Sequence, residues 1–241
     1  MQSRKLRLSF PLQSPLLRRM KFPRLPALFA LAAVLALPVT PLAMEPANLN
    51  LAKGEILRYV NSGEYAKDLG AVALKASKYL AKRLNQKAAK PGQKLAIVFD
   101  IDETTLINLP HFIANDFGYV PAVWERYVAS AQAKAIVPVQ VSYDMAVRAD
   151  VAVFFITARK ESQRASTEKN LVQVGYDAWT KIYFAPDDSQ QSMRRFKTGI
   201  RKQITAEGFT IIANIGDQES DLGGGYAEKT FKLPNPIYLV K

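Results

Sequence analysis

Lys94-Leu95-Ala96-Ile97-Val98-Phe99-Asp100-Ile101-Asp102-Glu103-Thr104-Thr105 passes from an apolar block straight into carboxylates. Residues 95–99 are unbroken by any polar side chain, with Pro91-Gly92 before them and acids after, the pattern of a strand buried on both faces of a parallel sheet. At the carboxyl end of such a strand the chain leaves the sheet, and open α/β folds bind ligands in the crevice there. Asp100 and Asp102 stand at that end. Two carboxylates two residues apart suit a chemistry in which one attacks or binds a cation while the other handles protons. A close pair of acids repels itself unless a cation or a shared proton neutralises it, and magnesium, a hard ion that takes oxygen ligands, is the obvious candidate. Taken alone, the stretch reads equally well as a turn capping the next helix, with Asp102 or Thr104 as N-cap.

Downstream the strand pattern recurs. Val151-Ala152-Val153-Phe154-Phe155-Ile156 is a second buried strand ending in Thr157-Ala158-Arg159, and residues 181–184 are a short third. The fourth, 209–215, runs into Gly216-Asp217-Gln218-Glu219-Ser220-Asp221 and then Gly223-Gly224-Gly225. Helices are expected over 161–174, stopped by Gly175, and over 192–207, ending at Gly208. The second of these is strongly basic (Arg194, Arg195, Lys197, Arg201, Lys202). Such a run is ordinarily a solvated face, with room for one member to lean over the sheet toward the acids. Three βα units ending on one edge in Asp/Asp, Thr and Asp/Asp are not explained as independent helix caps.

Between Thr105 and Asp150 the strand pattern disappears. Pro110, Pro121 and Pro138 punctuate the segment, 121–132 and 139–148 read as short helices, and Phe117, Tyr119, Trp124 and Tyr127 concentrate aromatic rings. An insertion directly after the carboxylate turn is placed to overhang the site as a cap. Its rings either stack on an organic leaving group or fill a small satellite core. His111, the only histidine, falls here and carries no mechanism. Upstream, residues 48–84 are helical, with Asn61-Ser62 as an internal N-cap. Tyr65, Leu69, Val72, Ala76, Leu80 and Leu84 form a stripe that packs against the sheet.

With 241 residues and 49% hydrophobic content the chain can bury one sizeable core, and the absence of cysteine excludes disulfides, thiol chemistry and a lipid anchor on cysteine. The formal charge of +12 is misleading. Residues 1–43 hold seven basic residues and no acid; the remaining 26 basic and 21 acidic residues leave the body at only +5, so a nucleic-acid polymer is not an expected partner. The basic head is followed by eleven apolar residues, 27–37, and a small-residue region ending Pro41-Leu42-Ala43. That is the form of a secretory signal, too short to span a bilayer comfortably, so no stable membrane anchor is expected. Pro41 is a poor residue for a cut after Ala43, and Met20-Lys21 would begin a signal of more ordinary length.

The order DIDET, then ITAR after an apolar strand, then the lysine of RRFKTGIR, then GDQESD resembles the four motifs of the haloacid-dehalogenase (HAD) superfamily. The tail, GDQESDLGGG followed by Lys229-Thr230-Phe231-Lys232-Leu233-Pro234-Asn235-Pro236-Ile237-Tyr238, is similar to the class B, subfamily IIIB acid phosphatases, a branch that includes plant vegetative storage proteins. The likeness runs over residues 54–240. It implies an α/β fold: a HAD-like Rossmannoid parallel sheet with flanking helices and a small helical cap at 105–150, within a phosphatase domain at 44–241. It also implies roles. Asp100 would be the nucleophile that forms an aspartyl-phosphate, Asp102 the general acid and base, Thr157 a donor to the phosphoryl oxygens and Lys197 their cationic partner, with Arg159 also on the substrate. Mg2+ would be held by Asp100, Asp217 and the backbone carbonyl of Asp102, with Asp221 in support. Glu219, where plant members tend to have tryptophan, and Ala158, where glycine or asparagine is common, depart from the pattern without removing a catalytic group.

The resulting expectation is a secreted or periplasmic, magnesium-dependent acid phosphatase acting on small phosphomonoesters. The alternatives are a non-catalytic storage or binding protein of the same fold, and a HAD phosphotransferase. Amino-terminal sequencing of the exported protein is expected to start near Met44; a cytoplasmic protein that keeps Arg18 and Arg19 would refute the leader.

Overall fold

The computed structural model describes residues 46–85 and 92–240, so the leader expected over 1–43 lies outside the described residues. The side chain of Asn48 accepts from the N–H groups of Asn50 and Leu51 at 3.0 and 3.3 Å and so caps α1 (Leu49–Asn61). Asn61 ends that helix, and Ser62 makes the link to the next one: its Oγ accepts from the N–H of Glu64, the first residue of α2 (Glu64–Asn85). In chain order follow β1 (Lys94–Phe99), β2 (Leu106–Ile107), α3 (Leu109–Ala114), α4 (Pro121–Ser130), β3 (Lys134–Ala135), α5 (Val137–Arg148) and β4 (Ala152–Lys160). α6 (Arg164–Gln173), β5 (Lys181–Ala185), α7 (Met193–Ala206), β6 (Phe209–Gly216), α8 (Glu219–Leu222) and β7 (Thr230–Lys232) complete the set.

Five of the strands pair in parallel in the order β5-β4-β1-β6-β7. The continuous apolar run of β1 is explained by burial on both faces. Ile97 and Phe99 join Leu80 of α2, Val139 of α5 and Phe155 in one core, while Ala96 and Val98 join Phe154, Ile156, Phe196 and Ile204 in a second core on the α7 side. The register of β6 on β1 slips by one residue, from Ala96 opposite Ile211 to Ile97 opposite Ala213, as in a β-bulge. The chain continues from β1 to β4 on one side and later to β6 on the other, so the switch point of the winding lies at the end of β1. Asp100 is the next residue.

Three expectations change. β4 does not stop at Ile156; it carries Thr157, Ala158 and Arg159 within the strand and pairs Lys160 with Ala185 of β5 after a slip in register. The segment 105–150 is not free of strands, since β2 and β3 form an antiparallel pair, Leu106 with Ala135 and Ile107 with Lys134. Two-residue strands are too short to leave a periodic signal, and the same holds for the three-residue edge strand β7. The segment also divides in two. α3, α4 and the loop between them bring Phe112, Phe117, Tyr119 and Trp124 to the cavity, whereas α5 buries Val139, Tyr143 and Ala146 in the main core and belongs to the body.

Leu80 has no exposed surface. Leu80→Ala is expected to lower unfolding free energy by about 3 kcal/mol through lost burial and the cavity left behind, read as a shift of the urea midpoint at constant slope.

Candidate active site

The turn after β1 is held by its own backbone. Asp100 N–H donates to Ile215 O at 3.0 Å, Thr105 Oγ1 donates to Asp100 O at 2.5 Å, and Ile101 O accepts from the N–H groups of Thr104, Thr105 and Leu106. Glu103, at φ 55°, supplies the left-handed residue that such a reversal requires. No helix starts here. α3 begins at Leu109 without a side-chain cap, so the capping alternative for Asp102 and Thr104 is not realised. Thr104 Oγ1 instead donates to Asp217 Oδ1 at 3.0 Å, across to the end of β6.

Lys197 is the basic residue of α7 that leans over the sheet. Its buried Nζ donates to Asp100 Oδ1 at 2.5 Å and to Asp221 Oδ1 at 2.6 Å. Burial works to depress this lysine, but the two carboxylates outweigh it and hold its pKa above the ordinary value. Asp217 completes the cluster: carboxylate oxygens of Asp100, Asp217 and Asp221 lie within 4.8 Å of one another, and all three residues are buried. Burial, reinforced by Asp221, pushes Asp100 well above the usual carboxylate range against the pull of Lys197. Burial and then Asp221 also raise Asp217, opposed by donors from Asn235 and Gln218. Three buried carboxylates with one ammonium are short of positive charge. An all-oxygen donor set of that kind fits a hard divalent cation.

Four residues on, at the same face of α7, Arg201 has no exposed surface and donates to the backbone carbonyls of Asp221, Gly223 and Gly225. Asn214 Nδ2 adds a bond to Asp221 O at 3.0 Å, and Gln218 N–H donates to Asp221 Oδ2 at 2.8 Å. Gly216 is required by this packing, because a Cβ there would fall 2.5 Å from Asp221 Cβ. At Gly224, φ is 89° and a Cβ would meet the Thr198 side chain, so this glycine serves close docking on α7.

Asp102 points away from this cluster. Arg159 grips it with Nε at 3.1 Å from both oxygens and Nη2 at 2.7 Å from Oδ1, and Asn108 Nδ2 donates to Oδ1 at 2.8 Å. The carboxylate of Asp102 is thus not one of the clustered acids Asp100, Asp217 and Asp221. Arg159, expected on substrate, spends its guanidinium on Asp102 and on Thr167 Oγ1, and lies 5.8 Å from the Trp124 ring. Thr157 is buried; its Oγ1 accepts from Arg159 N–H at 3.0 Å, which leaves the hydroxyl proton to donate.

A cavity of about 490 Å³ opens above these groups. Asp100, Asp102, Lys197, Asp217 and Asp221 line its polar end; Phe112, Phe117, Tyr119 and Trp124 form one wall, and Ile237, Tyr238 and Val240 another. His111 is not among the lining residues. It stacks on Tyr127 at 4.2 Å between ring centroids, in the aromatic cluster with Phe112 and Trp124. Sequence reasoning missed Glu103, Asn108, Gln218, Arg201 and Asn235. Glu103 is buried and lifted to about 8 by burial and by Asp102, against the donors Tyr238 and Asn108. One of its donors, Tyr238, is 135 residues away, so only the odd placement of an acid between Asp102 and Thr104 hinted at it.

Residues 32–241 match the family model described as HAD superfamily, subfamily IIIB (acid phosphatase). The chain is 31% identical over 174 residues to stem 28 kDa glycoprotein of Glycine max, covering 67% of this chain and 68% of that one. It is 33% identical over 148 residues to acid phosphatase 1 of Solanum lycopersicum, covering 59% of this chain and 58% of the relative. Among solved structures, the class C acid phosphatase from Bacillus anthracis superposes with a TM-score of 0.61 and 25% identity, covering 79% and 85% of the two chains, and that protein has also been solved with tungstate bound. No helix among the described residues is long and apolar enough to cross a membrane.

Removing the Arg201 guanidinium takes charge-assisted donors from the carbonyls of Asp221, Gly223 and Gly225, bonds worth about 1.5–3 kcal/mol each. Arg201→Met is expected to cost at least about 3 kcal/mol of stability, measured by urea unfolding of the metal-free protein.

Proposed function

This chain belongs to the HAD superfamily, subfamily IIIB (acid phosphatase), a phosphomonoesterase family, and from that membership we propose that it hydrolyses small phosphomonoesters with magnesium, through an aspartyl-phosphate on Asp100. The observation that carries the proposal is a buried carboxylate at the end of the central strand, facing both an ammonium and two further acids at the polar end of a cavity. Asp100 attacks phosphorus, and the bond from phosphorus to the ester oxygen breaks as Asp102 gives that oxygen a proton. Asp102 then takes a proton from water, whose oxygen attacks phosphorus and releases inorganic phosphate and the free Asp100 carboxylate. Lys197 and the Thr157 hydroxyl offer charge and a hydrogen bond to the phosphoryl oxygens, whose negative charge is spread in the transition state. Magnesium, held by Asp100, Asp217 and the Asp102 carbonyl with Asp221 in support, would supply the positive charge that the three carboxylates and the phosphate lack together.

Several features support this reading. Tungstate, bound in the structure of the Bacillus anthracis relative, is a tetrahedral oxyanion like phosphate. The grip of Arg159 on Asp102 holds the acid and base apart from the nucleophile, so the two carboxylates take different roles. The aromatic wall suits an organic leaving group. A storage protein without activity fits less well, because Asp100, Asp102, Thr157, Lys197 and Asp217 are all present. Transfer to an alcohol shares the same intermediate; product analysis with added alcohol separates it from hydrolysis. Export follows from the basic and apolar leader.

The two aspartates give the test. With nitrophenyl phosphate, Asp100→Asn is expected to show neither burst nor turnover. Asp102→Asn should give a burst of nitrophenolate, which needs little protonation to leave, followed by turnover reduced about 10²- to 10⁴-fold for want of a base. Equal residual rates in both variants, with no phosphoenzyme trapped in either, would overturn the assignment.

A further inference from the structure

The tail motif Lys232-Leu233-Pro234-Asn235-Pro236-Ile237-Tyr238 has no part in the proposed steps, yet it is tied to the site at several points. Leu233 N–H donates to Gly216 O at 2.9 Å, at the end of β6. Lys232 Nζ donates to Asp217 O at 2.8 Å and Asn235 Nδ2 to Asp217 Oδ2 at 2.8 Å, so the strap holds the backbone and the carboxylate of the same residue. Asn235 Oδ1 meanwhile accepts from Ile237 N–H at 2.8 Å and Tyr238 N–H at 3.4 Å, which turns the chain back over the cavity. Gln218 ties down the far end: its Oε1 accepts from Val240 N–H at 2.9 Å while its Nε2 donates to Asp217 Oδ2 at 2.6 Å. Finally, Tyr238 OH donates to buried Glu103 Oε2 at 2.8 Å, and its ring packs against that of Phe112 with centroids 5.3 Å apart.

We propose that residues 232–240 are a positioning strap for the metal site, in which Asn235 orients the carboxylate of Asp217 and Tyr238 locks the strap onto Glu103. The inference rests on the metal reading above. A carboxylate in a buried cluster has several rotameric choices; donors from Gln218 and Asn235 on Oδ2 and from Thr104 on Oδ1 fix one of them, beside the carboxylates of Asp100 and Asp221. Thr104 shares the task, and Gln218 and Asn235 both join it to the wall of the cavity. Asn235 is a positioning residue, acting through Asp217, and it couples closure of that wall to the geometry of the acids. Tyr238 does the same from the Glu103 side. Its hydroxyl satisfies an acid that would otherwise be buried with fewer donors, and its ring forms part of the surface that a leaving group meets.

Asn235→Ser tests this directly. The serine hydroxyl can still accept from the following N–H groups and keep the turn, but it is too short to reach Asp217. Titration calorimetry with magnesium chloride, in the absence of substrate, is expected to show binding weakened about tenfold, in the range usual for loss of a group that orients a metal ligand. The variant should keep the wild-type circular dichroism and resistance of the tail to carboxypeptidase. Its activity deficit should shrink as magnesium is raised, whereas a purely structural lesion would lower the rate at every concentration. As a second variant, Tyr238→Phe keeps the ring and removes the bond to Glu103; it is expected to raise the KM for nitrophenyl phosphate severalfold and to free the tail for carboxypeptidase. Wild-type magnesium affinity in Asn235→Ser, or an unchanged KM together with a protected tail in Tyr238→Phe, would overturn the strap. An absent isotherm for the wild-type protein would overturn the metal reading and the strap with it; a normal wild-type isotherm matched by Asn235→Ser overturns the strap alone.

Discussion

Lys197, buried between Asp100 and Asp221, is the contact around which the site is arranged. Removing an ammonium and two carboxylates from water costs several kcal/mol per ion, and close attraction offsets this only when the geometry is good and the remaining donors and acceptors are used. The surrounding structure meets that demand. α7 must lie against the sheet face lined by Ala96 and Val98, and β6 must end opposite β1. Gly216 must lack a side chain so that Asp221 can fold back. Arg201, one turn further along α7, then fixes the backbone of the residue whose carboxylate Lys197 holds.

The same contact explains why two aspartates two residues apart end in different environments. Asp100 remains on the axis of β1, bonded through its backbone to β6, and faces the charged cluster. The turn reverses at Glu103 and carries the Asp102 side chain to β4, where Arg159 and Asn108 receive it. The separation comes from the direction in which the chain leaves the sheet rather than from any difference between the side chains. That is what gives two aspartates within three residues the distinct electrostatic surroundings that the proposed roles require.

Above the acids the cavity is built from two segments distant in sequence, the helices after the carboxylate turn and the tail beyond β7. Phe112 and Tyr238 join the two segments by direct ring contact, and the tail is anchored to Asp217, Gln218 and Glu103. The apolar wall that a leaving group would touch is therefore mechanically continuous with the polar floor. In the proposed strap, substrate fit and the order of the acids share one set of hydrogen bonds.

Much of this was legible in the chain. A strand buried on both faces must be apolar at successive positions, so 95–99, 151–156 and 209–215 identified themselves, and with them the placement of Asp100, Thr157 and Asp217 at one edge of a parallel sheet. Periodicity likewise marked α2, since Tyr65, Leu69, Ala76 and Leu80 repeat at helical spacing and are all buried. Local pattern could not say which basic residue of α7 turns inward, because Lys197 and Arg201 resemble their exposed neighbours until the helix is docked on the sheet. Nor could it show that Arg159 closes on Asp102, that α5 belongs to the body, or that Asn235 reaches Asp217. Each of these depends on which surfaces meet after folding. A partner 18 or 57 positions away in sequence is set by the docking of whole elements, and no short-range preference of the residue encodes it.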